Sequence, residues 1–456
     1  DGTTMAITRR DLVRGLGAGI LGVGVMSGCG RGRGGDPPSP APTAEALEEP
    51  DIPLVIGQLG AAYGRMAAFE EAIAVSLEEA RIDVNARWEG LFGHEAVLLE
   101  RHVMQEPGED LTGVIEELAG AGATCLITSI DEESLIAAMP AIVAAGMAVI
   151  DVFTSGMSVR ADDVQTSNLL MRLSPDDTIL AARYSEIALG AESDRGGAPG
   201  TVAFLSEDTA QGRSLLHELE FYLNPRSGRI VSEQFYAVGE IGDIGARVEA
   251  VLQEPPALLV LNGGQESAPF LSALYEATLD EGNRPTIEIP ARLSPAATVA
   301  YSQLPLAEDL VPKCLASATG YQPGGEISEE HVAMMLNRSS DFLRTGYAYS
   351  QQGYDAFIMA CLAAQHALSV KGTALAAAVP AILTGSESCT DYEGCRRVMQ
   401  TALEAKGRAT VAYTGRMGKL ELGPQSDARV GTLRSYSWSA AHELEDGEAT
   451  AFESAE

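Results

Sequence analysis

"PLVIGQLGAAYGRMAAFEEAIAVSL", residues 53–77, holds the pattern that decides the fold. Leu54-Val55-Ile56 is a short apolar run and reads as a buried strand. Met66, Phe69, Ile73 and Leu77 then recur at spacings of three and four, the stripe of a helix with one buried face. Strand, loop and amphipathic helix in that order make the first half of a βαβ unit.

The pattern repeats downstream. Strand-like runs stand at 124–128 (TCLIT), 147–153 (MAVIDVF), 201–205 (TVAFL), 229–236 (RIVSEQFY), 258–261 (LLVL) and 286–289 (TIEI), separated by acidic or alanine-rich helical stretches. Such alternation predicts an α/β protein with mostly parallel sheets covered by helices on both faces. Two sheets are expected, one using the strands up to residue 153 and one beginning near Thr201. A helical region follows over 328–370, then β-like alternation over 409–438, then an acidic tail. Parallel sheets carry their binding loops at the carboxyl ends of the strands. Two doubly wound lobes facing each other bring those loops across one cleft, a geometry for enclosing a small ligand by hinge motion.

The first thirty residues need their own reading. The apolar run Leu16–Met26 is shorter than the roughly 20 residues a membrane span requires. Gly17-Ala18-Gly19-Ile20-Leu21-Gly22 matches G-x-G-x-x-G, but no strand precedes it, so it is not a dinucleotide loop. Thr8-Arg9-Arg10-Asp11-Leu12-Val13 looks like a twin-arginine export signal, and Met26-Ser27-Gly28-Cys29 resembles a lipobox. These predict a signal peptide over 1–28, lipidation at Cys29, and a flexible tether over 29–50, rich in Gly, Pro and acid. The alternative for Cys29 is an ordinary free thiol. The protein is therefore expected outside the cytoplasmic membrane, held to it by acyl chains.

A formal net charge of −33 argues against nucleic acid as a partner, since phosphate binding needs clustered Lys and Arg. Of six cysteines, Cys125 and Cys361 lie in apolar stretches and read as buried thiols. Cys389 and Cys395 flank a polar turn, "SCTDYEGC", and a local disulfide is expected there in preference to a zinc site, because no histidine is spaced to join them. The sequence has no G-x-S-x-G, H-E-x-x-H or phosphate-binding loop, and neither an enzyme, a metal nor a cofactor is expected.

Five stretches in order resemble the type I periplasmic substrate-binding proteins of ABC importers, in the branched-chain amino-acid (Leu/Ile/Val) group. They are "VIGQLGAAYGRMAAFEEAIAV", "MRLSPDDTILAARYSEIAL", "VAFLSEDTAQGRSLLHELEFYL", "GYDAFIMACLAAQHAL" and "AYTGRMGKLELGPQSD". The resemblance covers roughly 52–440 and implies two Rossmann-like lobes joined by a three-segment hinge. Lobe 1 is expected over 51–172 and 317–430, lobe 2 over 173–316 and 431–441, with a disordered acidic tail over 442–456.

The resemblance also implies ligand loops. In lobe 1 they would present Gln58, Tyr63, Gly64, Ser129, Phe153, Thr154 and Ser155. Hydroxyls and free N–H groups there suit a carboxylate, and Tyr63 an apolar side chain. Lobe 2 would supply Asp208, Gln211, Gln265 and Glu266. Each has a plainer alternative: Ser129 as cap of the helix starting at Asp131, Thr154 and Ser155 as turn residues, Tyr63 as packing, Asp208 and Glu266 as solvated acids. Asp355 reads as structural. Arg292 stands where the family's amino-acid binders carry an acid, which puts an amino-acid ligand in doubt and offers either a contact for an anion or a surface charge. The expectation is a solute-binding lipoprotein that hands a small polar molecule to an ABC permease. The alternative is a tethered envelope interaction protein of the same fold with no transport role.

Overall fold

Val55–Ala61 forms strand β1, which leads through a 3-10 turn (Gly64–Ala68) into helix α1 (Glu70–Ile82). The computed structural model describes residues 47–192, 196–303 and 313–454. The expected export signal, Cys29 and most of the tether lie outside the described residues. Met66, Phe69, Ile73 and Leu77 are all buried, which is why this stretch folds back onto its strand.

The first sheet adds β2 (Val97–Leu98), β3 (His102–Met104), β4 (Cys125–Ser129), β5 (Ala148–Asp151) and β6 (Leu170–Arg172), with helices α2 (Thr112–Gly120) and α3 (Glu132–Ala145) between them. Its order is β2-β1-β4-β5-β6, with β3 also beside β1. Every pairing is parallel, with Ile56 opposite Cys125 and Leu126 opposite Val149. β4 and β5 are buried along their whole length, as strands covered on both faces must be.

After Arg172 the chain crosses to a second sheet. It comprises helix α4 (Asp177–Leu189), β7 (Thr201–Glu207), α5 (Ala210–Leu223), β8 (Arg229–Tyr236), α6 (Ile244–Gln253), β9 (Leu258–Asn262), α7 (Phe270–Ala277), β10 (Ala291–Leu293), α8 (Pro295–Gln303) and β11 (Ala318–Pro323). The chain then returns to the first lobe through α9 (Glu329–Arg338), the short α10 (Phe342–Thr345), α11 (Ser350–Ala367), α12 (Gly372–Ala381), β12 (Glu387–Cys389), α13 (Tyr392–Glu404) and β13 (Val411–Tyr413), with β12 and β13 paired in a separate two-stranded parallel sheet. It crosses a third time into β14 (Glu421–Leu422), β15 (Ala428–Trp438) and β16 (Leu444–Glu453). The second sheet runs β14-β15-β11-β10-β9-β7-β8, parallel from β8 to β11, with β15 antiparallel and β16 laid along it.

Three boundaries differ from the sequence reading. The 286–289 run is not a strand: Thr286 turns back to the Thr278 carbonyl, Pro290 has no N–H, and the strand starts at Ala291. Arg292 therefore sits within β10 and not in the loop after it. β11 and β14, expected in the first lobe, belong to the second sheet. Leu444–Glu453, expected in a disordered tail, is a strand, since Phe452 closes over Gly431, where a Cβ would stand 2.5 Å from its ring.

Buried anchors hold the crossings. Arg172 donates to both oxygens of Asp427 at 2.7 and 2.9 Å, and Arg160 reaches the same carboxylate at 2.7 Å. These guanidiniums hold the Asp427 carboxyl down at about 2 despite burial. Asp355, fully buried in α11, accepts the Tyr413 hydroxyl at 3.0 Å and the N–H groups of Arg416 and Met417 at 2.9 and 2.8 Å. It ties the helix to the third crossing. Cys389 and Cys395 are joined by a disulfide, and Cys125, Cys314 and Cys361 are buried thiols. Among the described residues no helix is long and apolar enough to cross a membrane.

Candidate functional site: the seam between the two rims

The carboxyl ends of the two parallel sheets meet along a seam. Gly64, following β1, has φ +53°, and a Cβ there would stand 2.8 Å from Val238 and 3.5 Å from both Glu207 oxygens. Val238 and Glu207 belong to the second sheet's rim. Glycine is thus required twice over, by the left-handed backbone and by the contact across the lobes. Met157 N–H donates to Ser214 Oγ at 2.9 Å, and Ala210 N–H donates to Glu133, each from one lobe to the other.

Arg65 occupies the middle. It is buried, donates to Glu132 at 2.9 Å, and its guanidinium lies 4.9 Å from the centre of the Phe153 ring. Phe69 and Tyr349 pack with Phe153 to complete an aromatic floor, with centroids 4.5 to 5.7 Å apart. Glu132 is completely buried in the first turn of α3, where the helix dipole favours an anion. It also accepts N–H groups from Ser155 and Gly156 at 3.1 and 2.9 Å. Burial opposes charge on Arg65, yet Glu132, Asp177 and Glu207 together raise its proton affinity.

Asp177 and Glu207 face this cation from lobe 2. Asp177 Oδ1 accepts from Gln211 at 3.0 Å and Glu207 Oε1 from Gly239 N–H at 3.1 Å, and each carboxylate also takes a donor from lobe 1, the Ser155 hydroxyl for Asp177 and the Arg65 backbone N–H for Glu207. Burial, then repulsion from Glu132, pushes the Asp177 carboxyl up to about 7. Burial and the nearby Glu266 push Glu207 up to about 7, against the pull of Arg65. A cavity of about 140 Å³ opens beside Gly64, walled by Ala67, Ala68, Ala296, Val299 and Ala300. A larger one, about 330 Å³, lies elsewhere, between Trp88, Tyr354, Tyr392 and Arg416.

The residues expected at the ligand loops are distributed unevenly. Gln58 donates to the Leu99 carbonyl at 2.8 Å, inside the first sheet. Tyr63 donates to Asp131, and Asp131 rather than Ser129 caps α3 by accepting Ser134 N–H at 2.8 Å. Ser129 Oγ accepts from Arg101 at 2.6 Å. Thr154 is turned inward onto Asp151, at 2.8 Å from its hydroxyl. Phe153 and Ser155 N–H are in the seam. Gln211 is buried and relays from Asn262 (2.8 Å) to Asp177. Gln265 lines the smaller cavity, and Glu266 accepts Tyr236 OH at 2.6 Å. Asp208 is exposed and pairs with Arg213 at 2.8 Å. Arg292 Nη1 donates to the Ala291 carbonyl at 3.0 Å, and its Nε has no partner.

The groups missed by sequence reasoning are Arg65, Glu132, Asp177 and Glu207. Their common signal is position: each is a charge within a few residues of a β1, β4, β6 or β7 carboxyl end.

No protein-family model matches the sequence, and no curated protein does. Solved structures match over most of the chain. The branched-chain amino acid transporter substrate binding protein LivJ from Streptococcus pneumoniae, in complex with isoleucine, superposes with TM-score 0.62 at 13% identity, over 88% of this chain and 100% of that one. The chain has the type I periplasmic binding protein fold. An ABC-transporter solute binding protein from Rhodopseudomonas palustris, in complex with p-hydroxybenzoic acid, shares this type I fold at TM-score 0.62 and 12% identity, covering 88% of this chain and 97% of that one. A fatty acid ABC transporter substrate-binding protein from Thermomonospora curvata does so at 0.59 and 14%, covering 89% and 95%. One of these neighbours holds isoleucine, one p-hydroxybenzoic acid, and the third is named for fatty acid transport, so the shared fold leaves the ligand of this chain open.

Proposed function

We propose that this chain is an exported, lipid-anchored solute-binding protein that encloses a small polar ligand between its lobes and presents it to the permease of an ABC importer. One observation carries the reading: charged groups from both rims converge, buried, on the same seam. Two lobes that met only for rigidity would gain more from apolar packing there, because buried charge is costly. Charges at a closing seam are justified when the seam also opens and takes a polar guest. The anchor rests on the lipobox-like Cys29, and the lobe limits of the hinge on the three crossings.

The test is thermal unfolding of the full chain against a panel of amino acids, amides, sugars, amines and organic acids, paired with small-angle scattering. A binder raises the midpoint through linkage, and scattering reports a change in lobe separation with the same compound. A panel without any such compound removes the transport reading. Substituting Cys29→Ala is expected to release the protein from the membrane fraction; unchanged partition would remove the anchor.

A second reading is supported by Arg65, which already fills the seam from inside. A tethered interaction protein of the same fold would keep its lobes shut permanently. Scattering profiles unchanged by any ligand, together with co-purification of an envelope protein in defined stoichiometry, would favour it.

A further inference from the structure

The closed seam gathers acids from both rims around one cation. Facing Asp177 are Arg65, Glu132 and Tyr349 of lobe 1 and Gln211 and Tyr184 of lobe 2. Facing Glu207 are Arg65 of lobe 1 and Glu266 and Tyr236 of lobe 2. Arg65 is the cation common to both, and Glu132 already takes it at 2.9 Å. Asp177 and Glu207 are each 1% exposed, so water does not screen the excess negative charge. A carboxyl in that position is favoured in its protonated form.

Lobe 1 supplies the cover. The Arg65 backbone N–H donates to Glu207 and the Ser155 hydroxyl to Asp177, and a Cβ on Gly64 would stand 3.5 Å from both Glu207 oxygens. Parting the rims withdraws Gly64 and Arg65 from Glu207 and Glu132 from Asp177, and admits water to both carboxyls. The closed and open arrangements therefore bind protons differently, and the balance between them is linked to pH. In the closed seam burial and Glu266 push Glu207 up to about 7, and burial and Glu132 push Asp177 to about 7, against 4.5 and 3.8 for the ordinary groups. Between those limits the closed form holds the extra protons, so rising pH favours opening.

Resting on the reading of the seam as a solute site that opens, we infer that protons are its co-ligand: the lobes close with proton uptake at Glu207 and Asp177, so the solute is held more tightly in mildly acidic surroundings and released as they turn alkaline.

The test is small-angle scattering from the full, ligand-free chain, extrapolated to zero concentration at matched ionic strength, between about pH 5 and pH 8. The ratio of closed to open molecules is expected to fall by up to about tenfold per pH unit for each group, seen as a growing radius of gyration. The double variant Asp177→Asn, Glu207→Gln should stay compact at both ends. A wild-type radius that ignores pH, or one that grows equally in the double variant, overturns the proton link. Gly64→Ala gives a second handle if the double variant does not fold. Its Cβ would stand 2.8 Å from Val238 and wedge the rims apart, so it should be expanded already at pH values where the wild type is compact. A wild-type response in Gly64→Ala also overturns the link. Running the solute panel at fixed pH separates the two readings. A compound that compacts the chain when pH does not would remove the proton link and keep the solute seam. Lobes moved by neither pH nor any compound would remove both.

Discussion

The two rims that meet at the seam are built from the same parts and spend their charges differently. On lobe 1 three acids near the rim are held from within: Glu132 by Arg65 and two N–H groups, Asp151 by Thr128 and Thr154, Glu70 by Arg101. On lobe 2 Asp177 and Glu207 are held by neutral donors, Gln211 and Ser155 for the first and the N–H groups of Gly239 and Arg65 for the second, and neither carboxylate is paired with a cation of its own lobe. One rim is closed by charge-assisted pairs, and the other keeps buried carboxyls pushed up toward neutrality.

Neutralising carboxylates tests the contrast most sharply. Glu132→Ala strands the buried Arg65 charge and should destabilise the ligand-free protein by about 3–5 kcal/mol, read from urea unfolding midpoints. Glu207→Gln should do the opposite above neutral pH, stabilising by about 1 kcal/mol, since it removes a buried charge whose desolvation its two N–H donors only partly offset. A loss of stability in Glu207→Gln comparable to that of Glu132→Ala would abolish the distinction between the rims.

Titration separates them further. The Asp177 and Glu207 carboxyls are raised to about 7 from ordinary values of 3.8 and 4.5. The folded protein therefore holds more protons than the unfolded chain between those limits, and stability should fall as pH rises from about 4 to 7. Asp427, at the crossing, is lowered from 3.8 to about 2, so its contribution is present above 3.8 and lost as pH falls toward 2. Thermal midpoints across pH should show both windows, with Glu207→Gln flattening only the upper one. The smallest effect is expected at Asp208, on the outer surface of the lobe 2 rim. Asp208→Ala breaks an exposed pair with Arg213 and should change stability by no more than about 0.5 kcal/mol.

Much of the frame was legible because burial leaves a period in the sequence. The 147–153 run and the Met66-Phe69-Ile73-Leu77 stripe show their inward faces directly. β16 was hidden because it is an edge strand in which only Phe452 is buried, so acids occupy nearly every other place and the pattern reads as a tail. β10 was displaced because Thr286 and Ile289 look like strand residues, and the geometry around Pro290 is a tertiary outcome. At the site, sequence located the rims and not the chemistry. Ser129 and Thr154 have suitable side chains in suitable loops, yet Arg101 and Asp151 reach them first. Arg65 stood one residue beyond the expected Gly64, and nothing local distinguishes a charge that turns inward from one that stays in water.

The position of β15 in the second sheet has a consequence for how the molecule is made. β15 covers the edge of β11, more than a hundred residues earlier in the chain, and β16 in turn lines β15. That sheet acquires its last partners only when almost the entire polypeptide exists, and pairing across such sequence distance is slow. Until then β11 presents a bare row of backbone donors and acceptors, the kind of margin on which chains aggregate. Deleting residues beyond 427 should therefore yield a sticky, incompletely closed product, not a shorter version of the same protein.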